Sequence, residues 1–325
     1  MHEGLSLNGQ AADGPFQRAA FQSGPFQRDA WCRWFVLATI CIMTGAAAGC
    51  RSTARWRAGH GELMSPRRLD NGYTIVLPGI LGYNSRDPKI VNGLLEANVP
   101  SAIEVYDWTR GPFYMVSNLR GTERNQSEAL KVAAKIIDYQ DRYPGRPVNL
   151  VGHSGGGGMA VMALEALPAG RRITGAILLA PPLAPDYDLR LALSHTETGI
   201  RNFYSYYDAA ILGVLTTAIG TMEGRHAIAA GAIGFSPPEG IEGELQRQYE
   251  RALDQRSYGL DMLAAGHAGG HFGWTSPAFV RDRIAPLLAP PIIDLPPVDL
   301  PAGGDVQMVS FRNDHRQGTV KRSAY

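Results

Sequence analysis

The sequence predicts an α/β fold, a mostly parallel central sheet with helices on both faces, and three observations carry that expectation. From about Tyr73 to Leu288, short apolar runs alternate with amphipathic segments, the order expected when each strand is followed by a crossover helix. The 325 residues are 45% hydrophobic and 19% charged, a globular make-up in a chain long enough to bury a large core without staples. One apolar run, Val148 to Val151, also passes through a glycine-rich turn directly into a helix-compatible segment, Met159 to Leu167.

Taken in order, residues 1–27 carry the repeat Gly14-Pro-Phe-Gln-Arg18 and Gly24-Pro-Phe-Gln-Arg28 without apolar periodicity, and read as an unstructured extension. Residues 28–50 follow the layout of an export signal. Arg28 and Arg33 precede the apolar run of residues 35–49, and small residues end it. At 15 residues the run is short for a membrane span, which needs about 20. Its exit, Ala47-Ala48-Gly49-Cys50, resembles the lipobox of bacterial lipoproteins, and the resemblance implies lipidation of Cys50 and attachment to a membrane in the cell envelope. Residues 51–69 read as a linker, residues 70–289 as the folded domain, and the stretch from Pro290 through Pro301 to residue 325 as a Pro-rich tail.

Within the domain the expected strands are Tyr73–Leu77, Ala102–Tyr106, Val148–Val151, Ile173–Ala180 and Ile200–Tyr207. Asp87-Pro88 supplies an N-cap and a first-turn proline ahead of Ile90, Val91, Leu94 and Leu95; Ser276-Pro277 does the same ahead of Val280, Ile284, Leu287 and Leu288. Between them Leu130, Ala133 and Ile137, with Val132, Ile136 and Tyr139, mark a crossover helix.

Several function classes are disfavoured by composition alone. The 31 Lys and Arg against 30 Asp and Glu leave a formal charge of +1, with no basic field for nucleic acid. Cys32, Cys41 and Cys50 are the three cysteines, so the domain has no thiol for a disulfide, a structural zinc or a Cys nucleophile. The histidines lack the H-E-x-x-H spacing, and no metal or cofactor is expected.

The turn after Val151 is Gly152-His153-Ser154-Gly155-Gly156, a G-x-S-x-G in strand-turn-helix context. A serine on so tight a turn is held strained with its hydroxyl projecting, glycines avoid Cβ clashes beside it, and the Gly155 N–H at the helix start faces a developing oxyanion. Two plainer readings compete: a glycine turn ending a buried strand, and the dinucleotide fingerprint G-x-G-x-x-A at Gly155, Gly157 and Ala160. The fingerprint belongs on a first strand, with an acidic residue ending the next. Here two strands precede the turn and the next ends Ala180-Pro181-Pro182. No Lys follows the glycines, which excludes a Walker loop.

Together with Thr74-Ile-Val-Leu-Pro78-Gly79-Ile80-Leu81-Gly82 upstream, this turn resembles the α/β-hydrolase superfamily of lipases and esterases, over roughly residues 70–290. The resemblance implies Ser154 as nucleophile, an oxyanion hole from the Gly155 N–H and that of Ile80 or its neighbour Leu81, and partners in the order Ser, acid, His. Asp208, ending Ser205-Tyr-Tyr-Asp208, is the preferred acid; Asp186 and Asp188, in a Pro-rich loop, are alternatives. His226 falls in an Ala/Gly-rich insertion and His315 in the tail, which leaves Gly266-His267-Ala-Gly-Gly270-His271, just ahead of the last capped helix. His271 is the expected base and His267 the alternative, while His153 fills the variable position of the turn. In the insertion, Ile211, Leu212, Leu215 and Ile219 have the spacing of a helix packed on the sheet, with an acyl pocket as the other reading.

The sequence therefore predicts an exported, lipid-anchored serine hydrolase acting on a small-molecule or lipid-like carboxylic ester. A thioester or amide hydrolase on the same three residues, and a non-catalytic binding lipoprotein, are the alternatives.

Overall fold

The computed structural model describes residues 61–82, 87–210 and 212–288, which lie in one compact unit. The extension, the export segment with Cys50, and the Pro-rich tail lie outside the described residues, as do the side chains of Ile211 and Leu215.

Six strands, β1 (Tyr73–Leu77), β2 (Ala102–Val105), β3 (Val148–His153), β4 (Gly175–Leu179), β5 (Ile200–Tyr204) and β6 (Leu253–Ser257), form one sheet in the order β2-β1-β3-β4-β5-β6. Every pairing is parallel. The α/β expectation, one parallel sheet with helices on both faces, is met. The order reverses between β1 and β3, and in open parallel sheets the crevice beyond the carboxyl ends at such a switch is where ligands bind.

Both sheet faces are covered, so β1, β3 and β4 are buried along their whole length rather than alternating. Ile75 and Leu77 join Leu150 and Leu178 in a core shared with α3 (Thr122–Arg142) and α4 (Gly155–Glu165). Val76, Val151, Ile177 and Leu179 join the opposite core, with α1 (Asp87–Glu96) and the final helical segment from Pro277 to Leu288. That segment opens on Ser276 as N-cap residue and widens to a π-turn at Val280–Ile284.

Four expectations need correction. The stripe on α3 is Ala129, Val132, Ala133, Ile136 and Tyr139; Leu130 is 59% exposed, one position off the buried face. The linker does not extend to residue 69: Leu63 is buried, Arg68 donates to Val99 O and Ser101 O at 3.0 and 2.8 Å, and Leu69 O accepts from the Tyr139 hydroxyl at 2.6 Å. The fifth strand stops at Tyr204, because Ser205 turns the chain: Asp208 N–H donates to Ser205 O at 2.9 Å. Lastly, β6 is missing from the sequence reading. Its Leu253-Asp-Gln-Arg-Ser257 is polar because it is an edge strand, and Gln255 is held by Phe235, whose N–H it accepts at 2.6 Å and whose carbonyl it donates to at 2.8 Å.

Candidate active site

Parallel strands deliver their carboxyl ends to one edge of the sheet, and there the predicted residues gather. Ser154 leaves β3 with φ 53° and ψ −127°, a conformation a non-glycine residue holds only when its surroundings impose it. They do so here through hydrogen bonds on both sides: Ser154 N–H donates to Leu179 O at 2.8 Å, and Gly157 N–H to Ser154 O at 2.7 Å. The flanking glycines are required by space. A Cβ on Gly152 would overlap the Gly156 carbonyl, and one on Gly156 would overlap the Leu77 carbonyl of the neighbouring strand. Ser154 is thereby set at the N-terminus of the 11-residue helix α4.

The loop leaving β1 lies against this turn. A Cβ placed on Gly155 would stand 3.3 Å from the Ile80 nitrogen, and one on Gly79 would stand 3.3 Å from the Ser154 Cβ. The backbone nitrogen of Ile80 therefore lies close to Gly155, beside the serine. Trp108 Nε1–H donates to Pro78 O at 2.8 Å, and Asn118 Nδ2 donates to Ile80 O at 2.8 Å.

Asp208 sits on a 3-10 turn, Tyr206–Ala210, after β5 and is fully buried. His271, 5% exposed, follows β6 and donates from Nδ1 to Asp208 Oδ2 at 2.8 Å. With Nδ1 as donor the neutral ring keeps Nε2 as acceptor, the form a general base requires. His153, directly before Ser154, donates from Nε2 to the His271 carbonyl at 3.0 Å, and the two rings are 4.9 Å apart between centroids. The loop carrying His271 is thus tied to the serine turn itself.

The alternative acids are engaged elsewhere. Asp186 is exposed in an ion pair with Arg225, whose hydrogen bond holds the carboxyl below the usual range. Burial pushes Asp188 upward, but hydrogen bonds and charge from Arg190, at 2.6 Å, outweigh it and keep it low. Among the described residues no carboxylate is hydrogen-bonded to the His267 ring. Its Nδ1 accepts from Gly269 N–H at 2.9 Å, and it packs edge-on against Trp274 at 3.9 Å between centroids. Burial pulls its pKa down to about 4, against an opposing pull from the Asp208 charge, so it is neutral near pH 7. Its Nε2, like Asp208 Oδ1, is buried with no hydrogen-bond partner among the described residues.

Around this edge the structure exposes apolar side chains: Phe113, Tyr114 and Val116 beyond β2, Tyr206 and Tyr207 beyond β5, and Leu260, Leu263 and Phe272 beyond β6. In the insertion a helix covers Leu212–Ala218, and Leu212 is buried in the core, as helix packing requires. Trp108 and Asn118 escape the sequence reading. Fully buried side chains with a hydrogen-bonding tip just beyond a strand are the signal available, and it is a faint one.

No protein-family model matches the chain, and no curated protein does. Solved structures similar in chain course include an esterase from Pyrococcus furiosus, 12% identical over 67% of this chain and 81% of that one, with a TM-score of 0.40. Lipase B from Aspergillus fumigatus is 12% identical over 67% and 52%, with a TM-score of 0.43. A cutinase-like protein from Cryptococcus is 12% identical over 67% and 92%, at 0.34. Identities this low leave the chemistry to be read from the side chains in place.

Proposed function

We propose that the protein is a serine hydrolase of carboxylic esters, with Ser154 as nucleophile, His271 as base, Asp208 as the orienting acid and the N–H groups of Ile80 and Gly155 as the oxyanion hole. The observation that carries this reading is the buried Asp208–His271 hydrogen bond tied through His153 to the strained turn at Ser154. In the acylation step His271 Nε2 takes the proton of Ser154 Oγ as the oxygen attacks the ester carbonyl, and the carbonyl oxygen gains its charge facing the two N–H groups. Collapse expels the alcohol, which receives the proton from His271, and water attacks the acyl-enzyme by the same route. Asp208 holds the ring with Nε2 toward the serine and stabilises the imidazolium formed in each step.

The apolar side chains exposed at this edge suit an ester with an apolar acyl or alcohol part, and each is worth up to about 2–3 kcal/mol if fully covered by substrate. We further propose that the chain is exported and lipidated at Cys50, on the sequence alone. Labelling with a fluorophosphonate, followed by an acyl-chain-length series of ester substrates, tests the enzymatic reading. Label should appear on Ser154, and kcat/KM should rise with chain length before levelling.

A further inference from the structure

Asn118 lies on α2 (Met115–Arg120), fully buried, and each of its side-chain hydrogen-bonding groups is used. The amide Nδ2 donates to Ile80 O at 2.8 Å and to Gly111 O at 3.0 Å, while Oδ1 accepts from Arg110 N–H at 3.1 Å. Its own carbonyl accepts from Asn125 Nδ2 at 2.9 Å, which fixes the helix that carries it. One side chain therefore bridges the loop beyond β1 to the loop beyond β2.

The consequence lies in the peptide planes of the first loop. A peptide is rigid, so fixing its carbonyl oxygen fixes the direction of the N–H on the opposite side. Three consecutive carbonyls are fixed here: Pro78 O by Trp108 Nε1–H at 2.8 Å, Gly79 O by Gly82 N–H at 2.9 Å, and Ile80 O by Asn118. The middle plane carries the Ile80 N–H, the donor lying against Gly155. Trp108 and Asn118 lock the planes on either side of it, and Gly82 locks the plane itself.

We infer that Asn118 is a positioning residue for the oxyanion hole, holding the Ile80 donor by its neighbouring peptide and coupling it to the loop that exposes Phe113 and Tyr114. The inference rests on the serine-hydrolase reading. It adds a residue that touches no substrate yet sets the angle at which a transition-state charge is met, and misalignments well below 1 Å matter in such sites.

The test is the rate of phosphonylation per active site in the full chain carrying Asn118→Asp, an isosteric change that removes both N–H donors. In this reaction a bond forms between Ser154 Oγ and phosphorus, the P–F bond breaks, fluoride leaves and the serine proton passes to His271, while the phosphoryl oxygen occupies the hole. Counting labelled sites separates folding from alignment, since misfolding lowers the number of sites and a misdirected donor lowers the rate at each. The rate per site, and kcat for an ester, should fall about 10- to 100-fold with KM within about threefold of wild type. If the Asp variant yields no folded protein, Asn118→Ser, which retains one donor too short to span both carbonyls, should give about a tenfold fall. A folded variant with a wild-type rate per site would overturn the inference alone. Wild-type protein inert to fluorophosphonate would overturn the hydrolase reading and the inference with it.

Discussion

The imidazole of His271 and the carboxylate of Asp208 are joined by a 2.8 Å hydrogen bond although 63 residues separate them. Their meeting follows from the sheet order: β5 and β6 are neighbours, so the turn leaving one and the loop leaving the other emerge side by side. Ser205 reinforces the meeting by donating from Oγ to Gly269 O at 2.6 Å, which ties the turn carrying Asp208 to the loop carrying His271.

Asp208→Asn should leave the fold intact and lower kcat by about 10⁴, because the amide favours the wrong imidazole tautomer. Asp186→Asn and Asp188→Asn should stay within a few-fold of wild type, since both carboxylates serve exposed or half-buried arginines. Steady-state kinetics on the three variants decide it, and a crippled Asp186 or Asp188 variant would move the acid to the loop after β4.

His271→Ala should abolish turnover, whereas His267→Ala should reduce it only modestly; purified, folded variants compared on one ester distinguish them. The role of His267 appears instead in stability. Its pKa is about 4 in the folded chain and near 6.5 when unfolded, so between these values the unfolded chain binds more protons. Stability from this group is complete above pH 6.5 and is lost as pH falls toward 4, with a slope of up to about 1.4 kcal/mol per pH unit. Denaturant titrations from pH 7 to pH 4 should show a shallower fall in the His267→Leu variant.

The glycines and the serine of the turn are legible in the sequence because a bend this tight admits no Cβ at Gly152 or Gly156, so residue type itself records the geometry. Asn118 and Trp108 leave no such mark. Each donates to a carbonyl 38 or 30 residues away, a pairing without periodicity in the chain. The strand β6 is invisible for a related reason, since an edge strand buries only Leu253 and leaves the rest of its length polar, without an apolar run or alternation to mark it.

Burial raises the Glu165 carboxyl to about 7, against the hydrogen bond from the Tyr187 hydroxyl, with Asp188 and Glu223 adding to the rise. A raised pKa favours the fold below about pH 4.5, and that advantage is lost as pH climbs through 7. Glu165→Gln, which keeps an acceptor for Tyr187, should match wild type at pH 4.5 and exceed it at pH 8 by on the order of 2 kcal/mol. Thermal unfolding at the two pH values measures the difference.

Cys50 is expected to carry lipid. Expressed full length in bacteria, the protein should partition into membranes and incorporate labelled palmitate, while Cys50→Ala should not. Equal incorporation in both would reduce the segment to an ordinary export signal or an anchor.

The most direct measurement is peptide mapping of the fluorophosphonate adduct, alongside ester turnover by Ser154→Ala. A single adduct on the peptide containing Ser154, and loss of turnover to the level of the uncatalysed reaction in the folded alanine variant, is the predicted result. An adduct on another serine, or undiminished turnover by Ser154→Ala, would contradict the assignment of this turn as the nucleophile.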